Sequence, residues 1–376
     1  MVMNRIRRFV AALVACLSAQ AVAGDAQYKV YGLDFSPYED GQSPDWRTPV
    51  SLAQLRERMA IIQPYTRWVR SFGSADGLEF SGAVARELGL KAALGAWISS
   101  DLSANEAQLA NLIAAAQRGE ADMLVVGSEV MRRRELSEGQ LIDYIRRVRQ
   151  AVPASVLVTT ADVYGEILGR PALRAACDLL FVNYYPYWEG IGIARALAVL
   201  EARHRDLVAA ADGKRVVVSE TGWPSDGDPV GEAVPTEENA RRYFVDFARW
   251  ADKNAVDYFY FSALDETWKV AQEGPQGGHW GLWDKDGRLK PGREAVFSGR
   301  ECLFDWAEAH YASLFAPAGR SSSAWSVYHY RYYPETGAYL GVSSEDGDVY
   351  YLGPDGHLTD VGPLPSWLPL AGCQRL

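Results

Sequence analysis

The stretch VVVSETGWPSDGD (residues 216–228) decides how the chain is read. Its three consecutive valines are β-branched and lack polar alternation, as in a strand covered on both faces. Ser219 and Glu220 follow at once, and Gly222, Trp223 and Pro224 then turn the chain into a loop. A carboxylate at the exit of a doubly covered strand, beside a tryptophan, belongs on the functional rim of an α/β protein.

The same texture recurs outward from this stretch. YKVYGLDF (28–35), TRWVRSF (66–72), LKAALGAW (90–97), DMLVVGSE (122–129), SVLVTTAD (155–162), LLFVNYYPYW (179–188), KRVVVSE (214–220) and VDYFYFSALDE (256–266) read as eight strands. Between them, Leu52, Leu55, Met59 and Ile62 stand at helical spacing ahead of Pro64. Leu109, Leu112, Ile113 and Ala116 mark another helix, and Leu141, Ile145 and Val148 a third ahead of Pro153. Repeated strand–helix units with about eight strands predict an α/β chain folded as a (β/α)8 TIM barrel. A doubly wound open sheet would want a glycine-rich phosphate loop after its first strand, and GLDFSPY is not one.

The barrel pattern ends near residue 298. Beyond it, residues 325–358 alternate aromatic and polar residues, with turn signals at Thr336-Gly337, Asp346-Gly347 and Asp355-Gly356. This predicts a small antiparallel β module whose aromatics pack a thin sheet. At the other end, Arg5, Arg7 and Arg8 precede a short apolar run (9–17) and the small-residue site Ala21-Val22-Ala23, the order of a secretory signal peptide. The expected organisation is a signal at 1–23, a catalytic barrel at 24–298 and a C-terminal module at 299–376. Leu13-Val14-Ala15-Cys16 resembles a bacterial lipoprotein cleavage box, so lipidation at Cys16 is the alternative route of export and the one way to a membrane.

The net charge of −10 becomes −13 once the signal and its three arginines are removed. An acidic chain repels phosphate backbones, which argues against a nucleic-acid partner and suits a neutral glycan. A monomer is expected. The four cysteines are Cys16 in the signal, Cys177 beside an apolar run, and Cys302 and Cys373 flanking the C-terminal segment, where export permits a disulfide. The five histidines are scattered without zinc-type spacing, and no metal or cofactor is expected.

In a barrel, functional groups stand at the C-terminal ends of strands. Those ends offer Asp34, Arg70, Trp97, Ser128 with Glu129, Asp162, Asn183 with Tyr185, Tyr187 and Trp188, then Glu220 with Trp223, and Asp265, Glu266, Trp268 and Lys269. Acids, donors and tryptophans on one rim fit a polyhydroxylated substrate, because flat aromatic faces stack on the C–H faces of sugar rings. Trp46, Trp250, Trp306, Trp325 and Trp367 have no rim placement and read as packing. Arg132, Arg133 and Arg134 read as a mostly solvated helix face, with Arg132 able to reach the cleft edge. Glu129 and Glu220 both follow apolar runs directly, in strands roughly across the barrel. Two carboxylates facing one cleft are the minimum for glycosidic cleavage, and a retaining enzyme holds them about 5–5.5 Å apart.

These residues carry a family resemblance. VVVSETGWPSDG resembles the seventh-strand signature of glycoside hydrolase family 17, the β-1,3-glucanases and their transglycosylating relatives. VVGSEVMRR resembles its Val-Gly-Asn-Glu motif, and VNYYPYW its sixth-strand Asn-x-Tyr-Pro-Tyr-Phe. DETWK and HWGLWDKDGRLKP resemble its eighth-strand stretches. The resemblance covers most of residues 28–292. It implies Glu220 as nucleophile and Glu129 as acid/base, with Tyr185 and Arg70 beside the nucleophile and Glu266 and Lys269 at the sugar. Asp34, Trp97, Ser128, Asn183, Trp188, Trp223, Trp268 and Trp283 complete the expected substrate-binding set. One departure is Ser128, where the family usually has an asparagine that contacts the sugar 2-hydroxyl. A hydroxyl reaches less far. The expected function is a secreted, retaining β-glucan hydrolase acting on β-1,3 linkages. The alternatives are a glucanosyltransferase using the same residues, a non-catalytic glycan-binding barrel, and a metal-dependent barrel using Asp34, Asp162, Glu220 and Asp265.

Overall fold

The computed structural model describes residues 29–297, 321–325, 328–333, 338–343 and 348–363. The expected signal segment with Cys16, the expected disulfide partners Cys302 and Cys373, Trp306 and Trp367 lie outside the described residues.

Eight parallel strands form the barrel: β1 (Val30–Asp34), β2 (Thr66–Arg70), β3 (Lys91–Ala96), β4 (Met123–Ser128), β5 (Leu157–Val163), β6 (Leu180–Asn183), β7 (Val216–Glu220) and β8 (Phe259–Tyr260). They neighbour one another in chain order, and β8 lies beside β1. A parallel bridge between Val218 and Tyr258 closes β7 onto β8. The expected (β/α)8 architecture is what the chain adopts. All of Val216, Val217 and Val218 are buried, as their lack of alternation requires.

The helices between strands start where side chains can satisfy free backbone N–H groups. Ser51 caps α1 (Leu52–Ile62) and Asp101 caps the helix Leu102–Gln117, while Ser137 and Gln140 form a reciprocal capping box on Glu138–Ala151. The expected Leu55, Met59 and Ile62 stripe of α1 is buried, but Leu52 is exposed.

Beneath the rim, the barrel interior is filled by Trp68, Ala93, Met123, Val125, Ala161, Phe181, Val217 and Phe259. Trp68 and Phe181 both meet Phe259 edge to face, with centroids 6.1 and 5.4 Å apart, a favoured aromatic geometry. Arg70 lies two residues beyond Trp68 on the same strand, so it points the same way one layer higher. Its guanidinium sits 5.0 Å from the Phe181 ring. The plug of rings is therefore the floor on which the charged layer of the site is built.

The chain divides into two compact units. The first comprises Val30–Tyr243 and Lys253–Arg288 and holds every strand of the barrel; the second takes in Phe244–Asp252 and the described residues from Leu289 onward. Within the second, strands Ser321–Trp325, Tyr328–Tyr333, Ala338–Ser343, Asp348–Leu352 and Leu358–Pro363 make an antiparallel meander in chain order. Asp355-Gly356 turns its last hairpin, with Gly356 at φ 77°. Tyr350 is buried with Leu340 and Val349. No helix among the described residues is long and apolar enough to cross a membrane.

Candidate active site

A cleft of 710 Å³ opens at the C-terminal ends of the strands, and Ser128, Glu129, Asn183, Tyr185 and Glu220 all line it. Two local devices aim the glutamates. At β7, Gly222 lets the strand end press against the chain after β8: a Cβ there would meet the Phe261 carbonyl oxygen at 1.9 Å. At β4 the ladder to β5 shifts register between Val125 and Ser128. Gly127 takes φ 82° and Glu129 itself φ 55°. A Cβ on Gly127 would meet Val130 Cγ2 at 2.4 Å. The bulge re-aims the end of the strand.

Glu220 sits in a cage of donors. Arg70 Nη1 lies 2.9 Å from Oε1, Ser128 Oγ donates to Oε1 at 3.1 Å and Tyr185 Oη to Oε2 at 2.8 Å. Arg70 is 0% exposed. It also reaches Asp34 Oδ1 at 3.1 Å, the Ser219 carbonyl at 2.8 Å and Ser128 Oγ at 3.2 Å. Burial alone would lower the Arg70 pKa, but the carboxylates of Asp34 and Glu220 outweigh it and hold the guanidinium charged. Burial pushes the Tyr185 phenol well up, and the Glu220 charge adds to this, so Tyr185 stays a donor.

Glu129 has a different environment. Asn183 Nδ2 donates to its Oε1 at 3.0 Å, and Asn183 is itself fixed by Ser219 Oγ, which donates to Oδ1 at 2.5 Å. Arg132 Nη1 lies 2.7 Å from Oε2. Burial raises the Glu129 pKa first and the Glu220 charge second, against the opposing pull of Asn183 and Arg132. The two carboxyl groups in the cleft thus have different settings: Glu220 accepts from Arg70, Ser128 and Tyr185, whereas burial and the Glu220 charge favour the protonated form of Glu129.

The remaining expected residues separate into those that face the cleft and those that do not. Trp97, Trp188, Trp268, Glu266 and Lys269 line it. Trp97 is 43% exposed, with the Arg133 guanidinium 4.3 Å from its ring. Glu266 Oε2 and Lys269 Nζ form a buried pair at 2.5 Å, and Trp268 Nε1 donates to Glu266 Oε1 at 3.1 Å. Asp34, Arg70, Trp223 and Trp283 do not line the cleft. Arg70 pairs with both Asp34 and Glu220. Trp223 is a buttress, 1% exposed, with Nε1 donating to the Val234 carbonyl at 3.0 Å. Trp283 is buried against Tyr65, centroids 5.1 Å apart. Trp46, expected as packing, is 72% exposed. Residues 130–134 form a turn and not a helix.

Tyr38, Phe72, Gln108, Tyr164, Arg203 and Glu273 also line the cleft and were missed. Phe72 and Tyr164 lie two residues past Arg70 and Asp162, so reading each strand exit further would have found them; Gln108 and Arg203 come from helices and leave no such signal. Among the four acids of the metal alternative, Asp34 and Glu220 share the Arg70 guanidinium, Asp162 is held by the Met131 and Val163 N–H groups, and Asp265 by the Gly281 N–H. They do not form a common oxygen cage.

Arg70 yields a direct prediction. Arg70→Met removes the counter-charge from two buried carboxylates, and breaking such a pair costs about 3–5 kcal/mol. Chemical denaturation is expected to show a loss of that size; a change under about 1 kcal/mol would mean the pairing is energetically idle.

A closed parallel barrel carrying two strand-end glutamates in one cleft, one caged by donors and one desolvated, defines a barrel glycoside hydrolase. The match to known proteins narrows this. The BtgE/BtgC glycoside hydrolase domain matches residues 32–281, and the chain belongs to that family. It is 31% identical over 229 residues to a glucan 1,3-beta-glucosidase of Schizosaccharomyces pombe, covering 56% of this chain and 71% of that one. It is 26% identical to the glucan endo-1,3-beta-glucosidase btgC of Emericella nidulans over 73% of this chain, and spans 47% of that protein's length. The solved glycoside hydrolase family 17 β-1,3-glucanosyltransferase of Rhizomucor miehei superposes with a TM-score of 0.63 at 29% identity, over 71% of this chain and 97% of that one. The resemblance to family 17 read from the motifs holds.

Proposed function

We propose that this chain cleaves β-1,3-glucosidic bonds with retention of configuration. Glu220 attacks the anomeric carbon while Glu129 protonates the departing glycosidic oxygen, leaving a glycosyl ester on Glu220. Glu129, now ionised, takes a proton from water, which attacks the same carbon and restores both carboxyls. The observation that carries this reading is the different setting of the two acids: Arg70, Ser128 and Tyr185 all donate to Glu220, whereas burial and the Glu220 charge raise the pKa of Glu129. The β-1,3 linkage follows from the names of the similar glucosidases. Trp97, Trp188 and Trp268 would stack on glucosyl faces, and Asn183, Glu266 and Lys269 would take hydroxyls. Ser128 is already tied to Arg70 and Glu220, so it supports the nucleophile before it can serve the sugar.

Transfer to a second sugar is the other reading, favoured by the likeness to a glucanosyltransferase, an active-site mutant of which was solved with laminaritriose. The chemistry differs only in which hydroxyl Glu129 deprotonates. Residues 1–23 carry the chain out of the cytoplasm, on the strength of their basic, apolar, small-residue order.

Incubation with β-1,2-, β-1,3-, β-1,4- and β-1,6-glucans, followed by chromatography and NMR of the first-formed anomer, tests the proposal. Cleavage of the β-1,3-glucan with β-configured first products is expected, and chains longer than the substrate mark transfer. Inverted products, or cleavage confined to another linkage, would sink it.

A further inference from the structure

The turn that carries Glu129 is held from the neighbouring strand. We propose that Asp162, at the end of β5, is a positioning residue for the acid/base, its carboxylate fixing the turn over residues 129–132 and with it the place where Glu129 delivers its proton. This rests on the acid/base reading of Glu129 given above.

Glu129 adopts φ 55°, a left-handed conformation that a residue with a side chain keeps only where its surroundings over-determine it. Successive residues of β5 supply that determination. Thr160 Oγ1 donates to the Gly127 carbonyl at 3.0 Å, and the Glu129 N–H donates to the Ala161 carbonyl at 2.8 Å. Asp162 Oδ2 accepts from the Met131 N–H, inside that turn, at 2.9 Å. Its other oxygen accepts from the Val163 N–H at 2.8 Å, tying the anchor to its own strand. On the far side, Arg133 donates to the Ser128 and Ile98 carbonyls at 3.0 and 2.7 Å.

Asp162 is buried and does not line the cleft, so it acts through the turn and not on the sugar. Retaining a carboxylate there is costly. Burial pushes its pKa up to about 6, against the pull of the Val163 and Met131 N–H groups. An uncharged hydrogen-bonding residue would avoid that cost, but a carboxylate is acceptor-only and can meet several converging N–H donors at once.

The test compares kcat/KM on a β-1,3-glucan oligosaccharide, whose leaving sugar needs a proton, with that on a dinitrophenyl glycoside of the same glucosyl unit, whose leaving group does not. Asp162→Asn keeps one acceptor oxygen but turns an NH2 toward a backbone N–H. It is expected to lose about 10²-fold on the oligosaccharide and no more than about threefold on the aryl glycoside, the signature of a misplaced general acid. Asp162→Ala is expected to show the same asymmetry, larger. The ratio of the two losses does not depend on the fraction of protein folded, so it is readable even where stability falls. Equal losses on both substrates, or no loss on either, would overturn the positioning role. Glu129→Ala run in parallel separates the two ideas: if it too loses both substrates equally, the acid assignment itself fails and this proposal with it.

Discussion

Glu220→Ala is expected to abolish turnover of β-1,3-glucan, with a loss in kcat/KM on the order of 10⁴- to 10⁶-fold, the size seen when a covalent nucleophile is removed. The size follows from what the side chain does. With no carboxylate at the end of β7, no glycosyl ester forms, and Arg70, Ser128 and Tyr185 are left pointing at an empty place. The shortened side chain also opens room on the face of the sugar from which Glu220 would attack. Azide supplied with a β-glucosyl fluoride should enter there, displace fluoride in line and yield the α-glucosyl azide. Retained activity on laminarin-type glucan would remove Glu220 from the nucleophile's role. A β-configured azide product would mean that a different residue still forms the covalent intermediate.

The barrel and its two glutamates were legible in the sequence because both are written in local order. A run such as Val216–Val218 has one physical solution, a strand covered on both faces, and the residue at its exit is then fixed in height on the rim. The eighth strand was less legible. Residues 256–266 are apolar enough for a long strand, yet only Phe259–Tyr260 pairs as one. Beyond it the backbone hydrogen bonds divide: the Phe261 and Ala263 N–H groups donate to the Thr221 and Asp34 carbonyls at the ends of the neighbouring barrel strands, while the Ser262 N–H donates to the Trp280 carbonyl and the Leu282 and Trp283 N–H groups to the Ser262 and Ala263 carbonyls. Hydropathy cannot say which partner a strand-like run will take.

The tryptophans mark a second limit. Trp97, Trp188 and Trp223 look alike in sequence, each large, apolar and near a strand exit. What separates them is tertiary. Trp223 spends its indole N–H on a backbone carbonyl and faces inward between Tyr187 and Tyr243, while Trp97 keeps a face in the cleft. Charged residues followed the same pattern. That Arg70 and Asp34 needed partners was predictable from their place at buried strand ends. That Arg70 stands beside Glu220 was implied by the family resemblance; that the same guanidinium also pairs with Asp34 depended on the aromatic plug setting its height.

Glu129→Ala should behave unlike Glu220→Ala, and the contrast tests the asymmetry of the site. Loss of a general acid costs about 10²- to 10⁴-fold where the leaving group needs a proton, so kcat/KM on β-1,3-glucan should fall by that much. On an activated aryl β-glucoside the first step needs no proton and its kcat/KM should fall far less, while kcat becomes limited by breakdown of the glycosyl ester, which has lost its base. Azide should then speed turnover by attacking that ester from the face water would use, and the product is the β-glucosyl azide, opposite in configuration to that from Glu220→Ala. The pH profile carries the same information. On β-1,3-glucan, kcat/KM of the wild-type chain should fall as pH rises through the raised pKa of Glu129, since it is the protonated form that donates; in Glu129→Ala that alkaline limb should vanish from what remains of kcat/KM on the glucan. A limb that persists unchanged would assign the proton to another group, and equal losses on glucan and aryl glycoside would deny Glu129 the acid's role.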